Sequence, residues 1–221
     1  MNDLNGGSEN SIVLTQPSAM LPVIVILFSG KRKSGKDYLT DRLHQILGSN
    51  LCTIIKISQP IKNHWAKCKG LSLERLLGDG EYKEAYRLEM IKWSEEMRDK
   101  DYGCFCKLAC DHAKPAKVWI VSDIRRRTDL KWFRENYGSK IVTVKVVADE
   151  HIRVKRGLVF TKGVDDAPSE CDLDGLDKWD YLINNNHSSE HVEDSLADIL
   201  NLIKIKRSEY DCTRGGGKEI R

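Results

Sequence analysis

Gly30-Lys31-Arg32-Lys33-Ser34-Gly35-Lys36-Asp37 decides how this chain is read. The apolar run Val23-Ile24-Val25-Ile26-Leu27-Phe28-Ser29 leads directly into it, and a helical pattern from Tyr38 to Leu47 follows it. Strand, Gly-x4-Gly-Lys and helix, in that order, make the physical recipe for a phosphate-binding loop. The glycines let the backbone curl until successive N–H groups point at one anion. The helix behind adds the partial positive charge of its N-terminus. Gly30, Lys31, Arg32, Lys33, Ser34 and Gly35 therefore read as a cradle for nucleotide phosphates, with Lys36 reaching the terminal ones.

The position after the lysine usually carries a Ser or Thr whose hydroxyl holds Mg²⁺; here it is Asp37. A carboxylate is also a hard oxygen ligand, so Mg²⁺ binding survives, directly or through a water. The loop is unusually basic, with Lys31, Arg32 and Lys33 between its glycines. That charge points to more anion than one nucleotide carries; the alternative is a solvated basic tip.

A chain of 221 residues fits one domain with a proper core. The folded part is expected over 21–207. Residues 1–20, polar and rich in Gly, Ser and Asn, read as a disordered arm, and 208–221, with Arg214-Gly215-Gly216-Gly217-Lys218, as a flexible tail. The net charge of +3 gives no global basic field for nucleic acid. Seven cysteines, an odd number, with Cys52 inside an apolar run, fit reduced thiols in a reducing, cytoplasmic setting better than a disulfide framework. Cys104, Cys106 and Cys110 cluster without a zinc spacing and read as buried or half-buried free thiols. No apolar run approaches the ~20 residues that span a bilayer, no secretory signal is visible, and the C-terminus is no address signal. Without a heptad or a spare apolar helix, the chain reads as a monomer.

Further along, Cys52 to Ser58 reads as a strand, and Pro60 opens a helix to about Lys69. Leu71 to Leu77 is a short amphipathic piece. Tyr82 to Arg98 is a long helix whose stripe of Tyr86, Met90, Trp93 and Met97 reads as core. Cys104 to Ala113 is another helix, stopped by Pro115. Val118 to Asp123 is a strand, Thr128 to Tyr137 a helix ended by Gly138, and Ile141 to Ala148 a valine-rich strand. Asp149 to Arg156 is a short basic helix, and Val159 to Asp177 a long mobile loop. Tyr181 to Asn184 is a last strand, and Val192 to Ile205 a closing helix. The alternation specifies an α/β fold: a mainly parallel sheet with helices on both faces.

Several residues outside the loop carry the chemistry of such a fold. Asp123 ends an apolar strand, where an acid positions the Mg²⁺ shell or caps a helix. Arg125, Arg126 and Arg127 follow at the carboxyl end of the sheet, where open α/β folds bind ligands, and guanidinium groups there invite phosphate or carboxylate. Arg153, Lys155 and Arg156 lie on the basic helix, so 149–177 reads as a mobile lid that closes over the nucleotide. Lys83 and Arg98, at the two ends of the long helix, are weaker candidates. Asp165 and Asp166 read as solvated acids or caps. His187 follows Asn184-Asn185-Asn186 at a strand's carboxyl end. Ser/His/Asp constellations, Gly-x-Ser-x-Gly, His-Glu-x-x-His and the Rossmann glycine triplet are all missing from the sequence. The residues describe a small phosphate-loop kinase with two anionic ligands.

These residues also carry a resemblance. Phe28 to Asp37, terminal Asp included, resembles the phosphate loop of the animal-type phosphomevalonate kinase family. So do Tyr82-Lys83-Glu84, Ile91-Lys92-Trp93, Glu95-Glu96-Met97-Arg98, Val121-Ser122-Asp123-Ile124-Arg125-Arg126, Trp132-Phe133-Arg134-Glu135, Arg156 to Thr161, Gly163 to Ala167 and Asn186-His187. The likeness spans about 22–207. It departs at Ile124, where a small polar residue is expected, and at Lys145, where an arginine is common. A peroxisomal-type C-terminal tripeptide, found in some relatives, is absent.

The resemblance implies a nucleoside-monophosphate-kinase-like fold. It also implies transfer of the γ-phosphoryl of ATP, with Mg²⁺, to (R)-5-phosphomevalonate, giving 5-diphosphomevalonate and ADP in isoprenoid and sterol synthesis. On that basis Lys36, Arg32, Asp37, Arg125 and Arg156 would be catalytic. Arg153, Arg156 and His187 would join the loop around ATP. Lys83, Arg98, Arg125, Arg126 and Asn186 would hold the acceptor, and Asp37 and Asp123 the metal. Two rivals are a kinase for another small phosphorylated acceptor, such as a nucleoside monophosphate, and a non-catalytic nucleotide-binding switch.

Overall fold

A computed structural model describes residues 22–78, 80–186 and 189–215 of the chain. The expected arm at 1–20, His187 and the tail from 216 onward lie outside the described residues.

In chain order the elements are β1 (Ile24–Ser29), α1 (Lys36–Leu47), β2 (Cys52–Ile55), α2 (Ser58–Lys69), α3 (Leu73–Leu77), α4 (Glu81–Lys100), α5 (Cys104–Asp111), β3 (Val118–Ile124) and α6 (Arg127–Tyr137). A 3₁₀ turn at Gly138–Lys140 then leads to β4 (Ile141–Val147), α7 (Glu150–Lys155), α8 (Pro168–Cys171), β5 (Tyr181–Asn184) and α9 (Ser189–Gly215). The strands form one sheet in the order β2-β3-β1-β4-β5, and every pairing in it is parallel.

β1 explains the arrangement. All six of its residues are buried, as befits a central parallel strand covered on both faces. Side chains alternate across the sheet. Ile24, Ile26 and Phe28 join Val118 and Ile120 of β3, Val142, Val144 and Val146 of β4, and Leu39 and Leu43 of α1 in one core. Leu196, Ile199 and Ile203 of α9 close that core. On the other face Val25 and Leu27 meet Trp119 and Val121 of β3, Phe105, Cys106, Ala109 and Cys110 of α5, and Leu130 and Phe133 of α6. The α/β fold with helices on both faces is thus as the sequence predicts, and its sheet is parallel throughout. The Tyr86–Met97 stripe is also core: Met90 is buried with Trp65 and Leu76, and Tyr86, Trp93 and Met97 pack beside it or under the sheet. Cys104, Cys106 and Cys110 carry free thiols, and burial pushes that of Cys110 up to about 12.

Three boundaries differ from expectation for physical reasons. β2 stops at Ile55 and α2 begins at Ser58, ahead of Pro60. The carboxylate of Asp123 accepts the backbone N–H groups of Ile57 (2.6 Å) and Ser58 (2.9 Å) there, so a residue 65 positions away starts the helix. The 159–177 stretch is not featureless: it holds α8 and buries Val164, Ala167 and Leu173. α9 is far longer than Val192–Ile205 and carries helix through 208–215, where a tail was expected. Lys204 to Asp211 is built mostly of fair to good helix formers, and Asp211 ties back to Lys117 at 3.0 Å.

α9 is therefore a structural wall of the domain. Leu196→Ala, at a site with no exposure, is expected to destabilise by about 2–5 kcal/mol through lost burial and an unfilled cavity. Urea unfolding followed by circular dichroism checks this as a lower midpoint at unchanged slope.

Candidate active site

The carboxyl ends of β1, β3 and β4 bring the 30–35 loop, the arginine turn at 125–126 and the start of α7 together. Two glycines shape the loop for steric reasons. A Cβ on Gly30 would lie 2.7 Å from both Ser34 Oγ and the Val146 carbonyl oxygen. Gly35 has φ +89, and its Cβ would sit 2.1 Å from Asn185 Nδ2. Lys33 also adopts a left-handed φ of 61°, a strained choice for a non-glycine.

The loop is gripped from outside. Asn185 Nδ2 donates to the Ser34 carbonyl at 2.8 Å. Arg156 donates to the carbonyls of Ser34 (3.1 Å), Lys33 (3.4 Å) and Asn185 (2.7 Å). With the Ser34 carbonyl turned outward, the Gly35 N–H across the same trans peptide points the opposite way. Lys36 is 5% exposed. Its Nζ donates to the Ser122 carbonyl oxygen on β3 and pairs with Asp37 Oδ1 at 2.7 Å. Packing around the Asp37 carboxyl opposes its ionisation. Lys36, Lys56 and Arg125 outweigh this and hold its pKa below the usual carboxylate value. Asp37 is 72% exposed at the loop's mouth, so a carboxylate oxygen remains open to a hard cation. Asp123 differs, because both of its oxygens already serve the amides of α2.

The cations around the loop are paired with acids of the 159–177 stretch. Lys31 meets Asp174 (2.7 Å), Arg32 meets Asp165 (2.8 Å), Arg125 meets Glu170, and the Arg127 N–H donates to Asp172 (2.7 Å). A small cavity lies among Gly30, Lys31, Arg125, Lys145, Glu170 and Asp174. Burial works against the Arg125 charge, but Glu170 and Asp123 raise its pKa above the ordinary value, so it stays charged.

Other expected residues fall in different places. Arg98 is buried and donates to Asp129 Oδ1 at 2.6 Å, away from the loop. Arg126 is buried against Glu95 of α4. Asn186 turns its side chain to the α7 N-terminus, where Oδ1 accepts the Asp149 N–H at 2.7 Å. Arg153 is half-buried and has no side-chain hydrogen bond or ion pair among the described residues. Lys83 is half-buried on α4.

Two candidates escape the sequence reading. Asn185, 6% exposed, holds the loop; its place just after β5 at the sheet's carboxyl end was the available signal. Lys62 of α2 is the other. Loss of solvent, then repulsion from Lys83, Lys56 and Arg87, pushes its pKa down to about 8 against the opposing pull of Asp123. The sequence gives no hint of this, because Lys56 follows β2, Lys83 and Arg87 lie on α4, and they meet Lys62 only in the fold.

Comparison with known proteins decides what this geometry belongs to. A profile of the phosphomevalonate kinase family matches residues 28–139. A phosphomevalonate kinase of Drosophila melanogaster is 47% identical over 181 residues, covering 80% of this chain and 94% of that protein. The chain belongs to the phosphomevalonate kinase family. The match takes in the phosphate loop, α4 and the arginine turn, the parts of this family member that crowd cations at the sheet's carboxyl end. Among solved structures the fold is similar to TT1252 from Thermus thermophilus, at 19% identity and a TM-score of 0.50, covering 81% of this chain and 97% of that one. A shikimate kinase from Acinetobacter baumannii in complex with shikimate is also similar, at 14% identity and a TM-score of 0.45, over 84% of this chain and 94% of that one.

The phosphate loop of this family member has no room at Gly35 for even one methyl group. Gly35→Ala is expected to combine backbone strain of about 1–3 kcal/mol with displacement of Asn185. Thermal melting should fall, and ATP affinity should drop at least as far as in Asn185→Ala. Calorimetric titration of both variants checks the ranking.

Proposed function

We propose that the chain transfers the γ-phosphoryl of ATP to (R)-5-phosphomevalonate, giving (R)-5-diphosphomevalonate and ADP, in the mevalonate route to isoprenoids and sterols. The observation that carries the reading is the 47% identity to a phosphomevalonate kinase across 94% of that protein's length. The packing of cations at the sheet's carboxyl end supports it, since both ligands are phosphorylated and the acceptor also bears a carboxylate.

In this reading an oxygen of the acceptor phosphate forms the new bond to the γ-phosphorus. The bond from that phosphorus to the β–γ bridging oxygen breaks, and its electrons leave on ADP. The acceptor oxygen is already anionic, so no strong general base is needed, and catalysis is positioning and charge neutralisation. The 30–37 loop cradles the ATP phosphates, with Lys36 on the transferring group. Arg156 and Asn185 keep the loop curled, and Arg153 extends the nucleotide side. Arg125 leads the acceptor side with Lys83 and Lys62, while Arg126 and Asn186 support the turn and the lid. Asp37 fits Mg²⁺ because its carboxylate is ionised and open, whereas Asp123 acts by starting α2. Bound there, the ion supplies charge neutralisation between the phosphate groups. α7 and 159–177 serve as the lid, and incoming anions displace its acids from Lys31, Arg32 and Arg125. The seven free thiols fit a cytosolic protein, which we read as a monomer acting on two small molecules. Among the described residues no helix is long and apolar enough to cross a membrane.

ADP release across a panel of acceptors tests the function. Phosphomevalonate should be turned over with the highest kcat/KM, and nucleoside monophosphates should be poor substrates. A preference for a nucleoside monophosphate would overturn the assignment. Lys36→Met should fold normally yet lose roughly 3–4 kcal/mol of transition-state stabilisation, a hundredfold or more in kcat. Near-normal kcat in that variant would remove Lys36 from the reaction.

Lys62 adds a pH signature. Its folded pKa of about 8 means that it is charged below pH 8 and loses charge above it. With Lys62 on the acceptor, kcat/KM for phosphomevalonate should decline above pH 8, by up to about tenfold per unit, while KM for ATP stays level. Lys62→Arg, which cannot deprotonate in this range, should flatten the decline. A pH profile identical in the two proteins would take Lys62 out of the site.

A further inference from the structure

Asp129, the third residue of α6, is 1% exposed. Its Oδ1 receives Arg98 Nη1 at 2.6 Å, with Cys106 Sγ at 3.7 Å. Its Oδ2 receives the backbone N–H groups of both Arg125 and Arg126, each at 3.1 Å. A carboxylate near the start of a helix is ordinary, but capping needs no buried arginine from another helix. For stability alone, an apolar pair of similar volume would serve as well as this buried ion pair. The pair therefore calls for a second explanation, and its neighbours supply one.

The link is doubled. Arg126 sends its guanidinium to Glu95, which lies one turn before Arg98 on α4. Two ion pairs of opposite sense thus clasp the end of α4 to the arginine turn: Arg98 of α4 to Asp129, and Arg126 to Glu95 of α4. With its own N–H and that of its neighbour held by one carboxylate, Arg125 has a fixed backbone. Its side chain runs the other way, into the cavity with Gly30, Lys31 and Lys145. α4 carries Lys83 and Arg87 nearer its start, so the clasp also fixes the distance between the two banks of cations.

We propose that Asp129, paired with Arg98, is a positioning residue that aims Arg125 at the acceptor, and that Arg98 acts through it rather than touching the ligand. This deepens the kinase reading and rests on it. A misaimed cation mainly harms the ligand that it should meet, and displacement by about 1 Å is enough for a hundredfold loss.

The test uses the full chain and measures both KM values and kcat for wild type, Asp129→Asn, Arg98→Lys and the double variant Arg98→Met/Asp129→Leu. Thermal melts give the folded fraction, to which rates are normalised. In Asp129→Asn and in the double variant, KM for phosphomevalonate should rise about tenfold or more and kcat should fall with it, with KM for ATP unchanged. Arg98→Lys keeps the charge and one donor and should lie between these and wild type. The double variant restores packing without an acceptor for the two amides, so recovered melting with unrecovered KM supports positioning. Normal kinetics per folded molecule in any of these variants, or an equal rise in both KM values, overturns it. If Asp129→Asn does not fold, the double variant and Arg98→Lys decide. The wild-type control separates the two ideas: were it inert on phosphomevalonate, the activity reading would fail, and the variants would be compared on whichever acceptor it turns over.

Discussion

Like-charge repulsion is the constraint around which this structure is organised. Two phosphorylated ligands that meet in a site shielded from water repel each other by about 4 kcal/mol for each pair of unit charges at about 4 Å and an effective dielectric near 20. Only cations held in place beforehand offset this without reorganising during the reaction. A parallel sheet suits the task, because its strands all end on one side and deliver several loops to one edge. Here that edge gathers Lys31, Arg32, Lys36, Arg125 and Arg156 from loops after three strands.

Cations collected in this way would repel one another if left bare, and the chain answers with its own acids. Asp165, Glu170, Asp172 and Asp174 come from one stretch and pair with Arg32, Arg125, Arg127 and Lys31. Lys31–Asp174 and Arg127–Asp172 are exposed and contribute little to stability, whereas Arg32–Asp165 and Arg125–Glu170 are largely shielded from solvent. All four hold a cation near its working place until an incoming phosphate competes for it. Lys62 is the exception. Among the described residues it makes no ion pair, and repulsion from its neighbours adds to desolvation in lowering its pKa toward the physiological range, against the pull of Asp123.

Two buried or half-buried acids near the end of β3 do different work. Asp123 starts α2, and with it sets where Lys62 stands. Asp129 holds the arginine turn. Neither needs to touch a ligand to govern where one binds. Both act by spending carboxylate oxygens on backbone amides, the strongest local restraint available to an acid.

The sequence by itself determined the fold class, the phosphate loop and most of the strand order in time. β1 and the Val118–Val121 run of β3 are apolar enough to read as inner strands, and Gly30 and Gly35 stand where close approach of other atoms forbids a side chain. Such signals are local, because hydrophobic period and glycine placement act over a few residues. Arg32, Lys36 and Arg125 were legible on the same ground, as cations within loops that the pattern had already located. What only the tertiary structure decided is the partner of each charge. Arg98 reads from sequence as a weaker candidate for the acceptor, but its guanidinium pairs with Asp129, 31 residues away. Asp123 reads as a metal ligand or a cap for the helix after it, but its carboxylate holds the start of a helix that precedes it by 65 residues. Asn185 rather than Asn186 grips the loop, and Lys62 matters only beside Lys56, Lys83 and Arg87. The physical reason is that an ion pair or a pKa depends on distance in space and on excluded water, and neither is encoded in the spacing of residues along the chain.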